Sequence, residues 1–113
     1  MKVIIAGGRS LINYQFVLDA VKCSGFEITE VVSGRASGID KLGEKYAYDN
    51  GIPISFFPAN WDKYGKRAGG IRNEEMGHYG EALIAVWDKI SRGTLHMIQT
   101  AEKLGIPVYI HYV

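Results

Sequence analysis

Three glycine-rich turns interrupt this sequence at points where an apolar run gives way to an amphipathic stretch. They are Gly7-Gly8-Arg9-Ser10, Ser33-Gly34-Arg35-Ala36-Ser37-Gly38 and Ser91-Arg92-Gly93-Thr94. Glycine allows a sharp backbone turn and a close approach of a ligand to the main chain. The start of a helix adds unpaired N–H groups and the positive end of the helix dipole, which together bind phosphate or another anion. Three such turns at one edge of a sheet indicate a ligand of nucleotide size, which the protein either cleaves or only holds.

Strand-like and helix-like segments alternate along the chain. Short apolar runs typical of buried parallel strands lie at about residues 3–6, 28–32, 53–57, 82–87 and 107–111, and helical patterns at about 12–23, 38–50, 71–78 and 93–104. This alternation predicts an α/β fold with a mostly parallel sheet of about five strands and helices on both faces. Ligands of such sheets bind at the carboxyl ends of the strands, which is where all three glycine turns fall.

Length and composition limit the possible functions. The 113 residues predict a single domain over 1–113, and 47% hydrophobic with 22% charged residues is ordinary for a soluble protein. A formal net charge of +1 gives no overall basic field, so nucleic acid is an improbable partner. The single cysteine, the scattered histidines and the missing cofactor motifs predict no disulfide, no metal site and no cofactor. The apolar run at the N-terminus is too short for a signal peptide or a membrane span, so we expect a cytoplasmic protein.

The first two turns supply several candidate ligand-binding residues. They are Gly7, Gly8, Arg9, Ser33, Gly34, Gly38 and Asp40. The first turn lacks the third glycine of the dinucleotide fingerprint, but Arg9 can pair with a phosphate through two hydrogen bonds. Asp40 falls in the first turn of a helix, where its charge favours the helix dipole; alternatively, it accepts a hydrogen bond from a ribose hydroxyl or a base amine. The sequence leaves these two roles open.

The second half of the chain adds further candidates. They are Arg72, Asn73, Arg92, Gly93 and Thr94. Arg72 is predicted at the start of a helix, where a positive charge is unfavourable unless an anion or a carboxylate such as Glu75 compensates it. Thr94 either caps the last helix or binds a phosphate oxygen. The segment 59–70 is predicted to be a long irregular loop, in which Trp61 either stacks on a base or closes the loop over the core.

These motifs, taken together, resemble the SLOG superfamily, and specifically its small YpsA-related single-domain members. The resemblance covers nearly the whole chain and is carried by Gly7-Gly8-Arg9, Ser33-Gly34-x-Ala36-x-Gly38-Ile39-Asp40, Phe57-Pro58-Ala59-Asn60-Trp61, Gly70-Ile71-Arg72-Asn73-x-x-Met76 and Ser91-Arg92-Gly93-Thr94. It implies a Rossmann-like three-layer sandwich, a pocket for a nucleotide or nucleotide-derived ligand, and a homodimer. We therefore expect a binding domain that acts as a sensor, a sponge or a ligand-processing unit, with no membrane contact.

Two relatives within the superfamily suggest other functions. The Lonely Guy enzymes release the base from a nucleoside monophosphate, and Arg72, Met76 and Gly93-Thr94 match their motifs. Their catalytic glutamate falls at Met97, which can neither stabilise an oxocarbenium-like centre nor take a proton. An N-glycosidic hydrolase would therefore need Arg72 with Glu75 or Asp40 as its catalytic residues, and this sequence does not favour an enzyme. The second turn also resembles DNA-processing protein A, which makes a single-stranded nucleic-acid binder the remaining alternative.

Overall fold

The computed structural model describes all residues from Met1 to Val113. Five strands alternate with five α-helices. A single turn of 3-10 helix, Gly65–Arg67, directly precedes the fourth α-helix. The strands are β1 Lys2–Gly7, β2 Glu30–Ser33, β3 Ile54–Phe56, β4 Ala82–Trp87 and β5 Val108–Tyr112. The helices are α1 Tyr14–Ser24, α2 Ile39–Asp49, α3 Trp61–Tyr64, α4 Ala68–Tyr79 and α5 Arg92–Leu104.

The strands form one parallel sheet in the order β3-β2-β1-β4-β5. The chain runs outward from β1 to β3 and then crosses to β4 on the other side of β1. The strand order therefore reverses between β1 and β4, which is the topological switch point where ligands of doubly wound sheets bind. The predicted α/β, Rossmann-like three-layer sandwich is confirmed.

Two apolar cores, one on each face of the sheet, hold the layers together. Successive side chains of a strand point to opposite faces. Val3 and Ile5 of β1 pack with α1 and α2 in one core, whereas Ile4 and Ala6 pack with α4 and α5 in the other. β4 is buried over five of its six residues, as expected for a central strand covered on both sides. No helix of the fold is both long and apolar enough to cross a membrane.

Two local predictions are wrong. The segment 59–70 is not irregular, because α3 and a turn of 3-10 helix occupy 61–67 and α4 begins at Ala68. The first helix, predicted to begin at about residue 12, begins only after the Asn13 cap, so Ile12 precedes α1 and is 80% exposed.

Candidate functional site

A cleft of about 370 Å³ opens at the carboxyl ends of β1 and β4, at the switch point. We call it the switch-point cleft. Its lining residues are Ala6, Gly7, Gly8, Arg9, Ser10, Ala36, Asp40, Arg72, Asn73, Met76, Asp88, Ile90, Ser91, Gly93, Thr94 and Met97. The volume falls in the range of small-molecule sites, about 300–1,000 Å³. All three glycine turns contribute to its wall, so the predicted convergence of distant segments is present in the fold.

Arg72 is the central cation of the cleft. It lies in the second turn of α4, and not at a helix start as predicted, because α4 begins four residues earlier. Its Nε donates to Asn73 Oδ1 at 3.0 Å, its Nη1 donates to the carbonyl oxygen of Gly34, and its Nη2 has no protein acceptor. Arg72 forms no salt bridge, so of the two compensating partners that the sequence left open, an anion or Glu75, the carboxylate does not pair with it. Glu75 is exposed and lines no part of the cleft.

Burial of the Arg72 guanidinium favours the binding of an anion beside it. Arg72 is only 8% exposed, and desolvation lowers its pKa, with Asp40 opposing and Arg9 adding to the shift. A buried charge without a full set of partners costs free energy. An anion bound at the free Nη2 would relieve that cost. Arg9, also without a salt bridge, lines the same cleft and lies 6.0 Å from the ring centre of Trp61.

Asp40 gives the cleft a buried carboxyl group. It occupies the first turn of α2, is 5% exposed, and accepts a hydrogen bond from Ala36 N at 3.2 Å. Burial raises the pKa of this carboxyl from its ordinary value of 3.8 to about 6, even though the N–H groups of Ala36 and Gly7 and the charge of Arg72 act in the opposite direction. A perturbed titratable group in a cleft is a candidate for binding or acid–base chemistry.

The turn before α5 presents free backbone donors. Ser91 is the N-cap of α5, since its Oγ accepts from Thr94 N at 3.3 Å. Thr94 therefore does not cap the helix; its hydroxyl lies 2.9 Å from Ser91 Oγ. The N–H groups of Arg92 and Gly93 belong to the first helical turn and have no protein acceptor. The positive end of α5 consequently borders the switch-point cleft, which Arg72 also lines.

The remaining sequence-predicted residues lie outside the switch-point cleft. Ser33 is fully buried, and its hydroxyl donates to Glu44 Oε2 at 2.6 Å. Gly34 and Gly38 support the cleft from behind, and Arg92 is exposed away from it. Eight of the twelve predicted ligand-binding residues line the cleft, namely Gly7, Gly8, Arg9, Asp40, Arg72, Asn73, Gly93 and Thr94.

Sequence reasoning missed Asp88 and His96. Asp88 follows β4 directly, accepts from Ile90 N at 2.8 Å and from Ser91 N at 2.9 Å, and lines the cleft; these hydrogen bonds lower the pKa of its carboxyl. An acidic residue directly after a central strand was the available signal. His96 Nδ1 lies 3.1 Å from Asn73 Nδ2, a contact that depends on the packing of α4 against α5 and has no signature in the sequence.

A parallel doubly wound sheet with a polar cleft at its switch point defines a Rossmann-like domain. The model of the YspA, cpYpsA-related SLOG family matches residues 1–64, more than half of the chain. This protein therefore belongs to the cpYpsA-related SLOG family, as the motifs predicted.

One curated relative is a phage protein. The chain is 36% identical over 84 residues to the "Gene 61 protein" of Mycobacterium phage D29, and the match covers 69% of this chain and 67% of that protein. No solved structure matches the chain significantly.

Proposed function

We propose that this protein binds a nucleotide or a nucleotide-derived phosphorylated ligand in the switch-point cleft. The observation that carries the proposal is the buried Arg72 guanidinium, which has a free Nη2 and no carboxylate in salt-bridge contact, beside the open N-terminus of α5. Both features favour a phosphate, and they act on the same small volume.

The rest of the cleft suits the remainder of a nucleotide. Met76 and Met97 supply an apolar wall on which a base can pack. The carboxyl groups of Asp40 and Asp88 accept hydrogen bonds from ribose hydroxyls or base amines. The ligand is therefore anionic at one end and a hydrogen-bond donor at the other.

Native mass spectrometry of the purified protein tests the proposal first, since a tightly held ligand adds its own mass. Thermal unfolding with each of the four common nucleoside 5′-monophosphates and with the matching nucleosides tests it further. A ligand at a hundred times its Kd stabilises the folded state by about 2.7 kcal/mol. We expect this gain with at least one monophosphate, its loss in Arg72→Met, and its retention in Lys22→Met, a control on α1 outside the cleft. Equal effects of nucleoside and nucleotide, or no effect of either, would overturn the proposal.

A second candidate function is supported by Asp40 alone. A carboxyl group with a pKa of about 6 in a ligand cleft is suited to general acid–base catalysis near neutral pH, as N-glycosidic hydrolysis requires. Chromatography of nucleoside monophosphates incubated with the protein would detect the released base. Turnover that is lost in Asp40→Asn and kept in Glu75→Gln, whose side chain is exposed outside the cleft, would establish the hydrolase; no released base would exclude it.

A further inference from the structure

A second concavity of about 520 Å³ adjoins the switch-point cleft and shares Arg9, Arg72, Asn73 and Gly93 with it. Its other wall is formed by Trp61 at the start of α3, by the 3-10 turn, and by the first half of α4. We call it the basic compartment. Since the two spaces meet at Arg9 and Arg72, a ligand in the first can extend into the second.

The charges that line the basic compartment are nearly all positive and unpaired. Lys66 and Arg67 of the 3-10 turn are exposed, and neither forms a salt bridge. Glu74 is the only carboxylate in the lining, and it is exposed to solvent. The chain as a whole carries a net charge of only +1, so this concentration of cations is local. It gives the compartment a field that attracts an anion.

His96 adds an uncharged hydrogen-bond donor, its Nε2–H, to the wall of the basic compartment. Arg72 Nε can only donate, so the atom of Asn73 that faces it must be the amide oxygen, Oδ1. The Asn73 amide nitrogen then faces His96 Nδ1, which must accept its hydrogen bond. A neutral imidazole that accepts at Nδ1 carries its proton on Nε2. That Nε2–H lies in the wall of the basic compartment, where a Cβ on Gly70 would be 3.6 Å from it.

We infer that the basic compartment binds a second phosphate group of the same ligand, through Lys66, Arg67 and the Nε2–H of His96. The inference rests on the proposed function, because the first phosphate and the nucleoside occupy the switch-point cleft. The ligand class is thereby narrowed to nucleotides with two phosphate groups. The second phosphate is either joined to the first, as in a 5′-diphosphate, or attached elsewhere on the ribose, as in a 3′,5′-bisphosphate.

Calorimetric titration distinguishes these ligands. The probes are the adenosine, guanosine, cytidine and uridine 5′-monophosphates, their 5′-diphosphates and their 3′,5′-bisphosphates. We expect one of the doubly phosphorylated forms to bind about tenfold or more tightly than its monophosphate, the effect of one added charge-assisted contact. Arg67→Met and His96→Phe should each reduce that advantage, measured in each variant as the ratio of its affinities for the doubly phosphorylated form and the monophosphate. Lys63→Met is the matched control, since Lys63 lies one turn away on α3 and lines neither space.

The outcomes separate the two proposals. Monophosphate binding with no gain from a second phosphate overturns the basic compartment as a subsite and leaves the proposed function intact. No binding of any probe overturns both. Tighter, salt-sensitive binding of an oligonucleotide than of any bisphosphate would assign the compartment to a nucleic-acid backbone and overturn the small-molecule inference.

A ligand-independent measurement tests the role of His96. Long-range proton–nitrogen correlation spectra of the free protein report which ring nitrogen carries the proton. We expect the His96 proton on Nε2. A proton on Nδ1 would overturn the assignment of His96 as a donor to the second phosphate.

Discussion

The turn after β2 and the turn after β4 are both rich in glycine and both lead into a helix, but their glycines serve different needs. In the β2 turn, a Cβ on Gly34 would lie 2.6 Å from Arg72 Nη1 and 2.9 Å from Asp40 Oδ2, and one on Gly38 would collide with the carbonyl oxygens of Gly8 and Arg9. In the β4 turn, a Cβ on Gly93 would meet nothing within 4 Å. Gly34 and Gly38 are required because a larger residue would collide with atoms inside the protein. The space at Gly93 is open and is therefore available to a ligand.

The hydrogen-bond donors of the two turns differ in the same way, since those of the β2 turn are used within the protein and some of those of the β4 turn are open. Around the β2 turn, Ser33 Oγ accepts from Arg35 N and Asp40 accepts from Ala36 N, so these donors are used within the protein. At the β4 turn, Asp88 and Ser91 occupy the early donors, but the N–H groups of Arg92 and Gly93 remain open. We therefore expect the β2 turn to shape the site and the β4 turn to contact the ligand.

Gly38→Ala should have the largest effect on stability. Gly38 has φ of +75° and its Cβ would overlap backbone atoms that cannot move aside, so we expect a loss of more than about 3 kcal/mol in the free energy of unfolding. Gly51→Ala is the control, since Gly51 has φ of +64° and free space around it. Its cost should be that of the backbone conformation alone, about 1–2 kcal/mol. Equal losses in urea denaturation would show that the packing of the β2 turn is not the cause.

Asp40→Asn should change how stability depends on pH. The folded protein holds the Asp40 proton more tightly than the unfolded chain, because burial raises the pKa of this carboxyl to about 6. The free energy of unfolding of the wild type should therefore fall as the pH rises from about 4 to about 6, by an amount on the order of 2–3 kcal/mol. The variant should lack this fall, and parallel pH profiles of the two proteins would contradict the assignment.

Gly34→Ala probes the support that the β2 turn gives to Arg72 and Asp40. Its backbone conformation suits alanine, so the cost comes from displacing two buried charged side chains, and we expect about 1–2 kcal/mol. Binding of a phosphorylated ligand should weaken at the same time, because both displaced side chains line the cleft. Calorimetry and urea denaturation on the same sample would measure both effects; unaltered binding would mean that the positions of these side chains do not matter to the ligand.

The contrast between the turns also shows what could be predicted from sequence. Apolar runs specify the strands well; the predicted run 82–87 coincides with β4. The glycine turns could be placed at the sheet edge, but their composition is the same whether a glycine faces packed side chains or open space. Gly69 and Gly70 illustrate the limit, since they suggested a break before Arg72 and instead lie inside α4. There a Cβ would stand 3.5 Å from Trp61 at Gly69 and 3.5 Å from His96 at Gly70, contacts between segments that no local pattern encodes.

Gly93→Ala should have the smallest effect on stability and the sharpest effect on binding. The residue lies in the first turn of α5, its φ is not in the left-handed region, and its Cβ would point into open space. Replacing glycine by alanine at such a position stabilises a protein by about 0.4–1 kcal/mol, mainly by restricting the unfolded chain. If a phosphate lies against this backbone, the added methyl group must weaken its binding even as the thermal unfolding temperature of the free protein rises. A variant with both higher stability and unchanged affinity would place the ligand elsewhere, and the distinction drawn between the two turns would then concern folding alone.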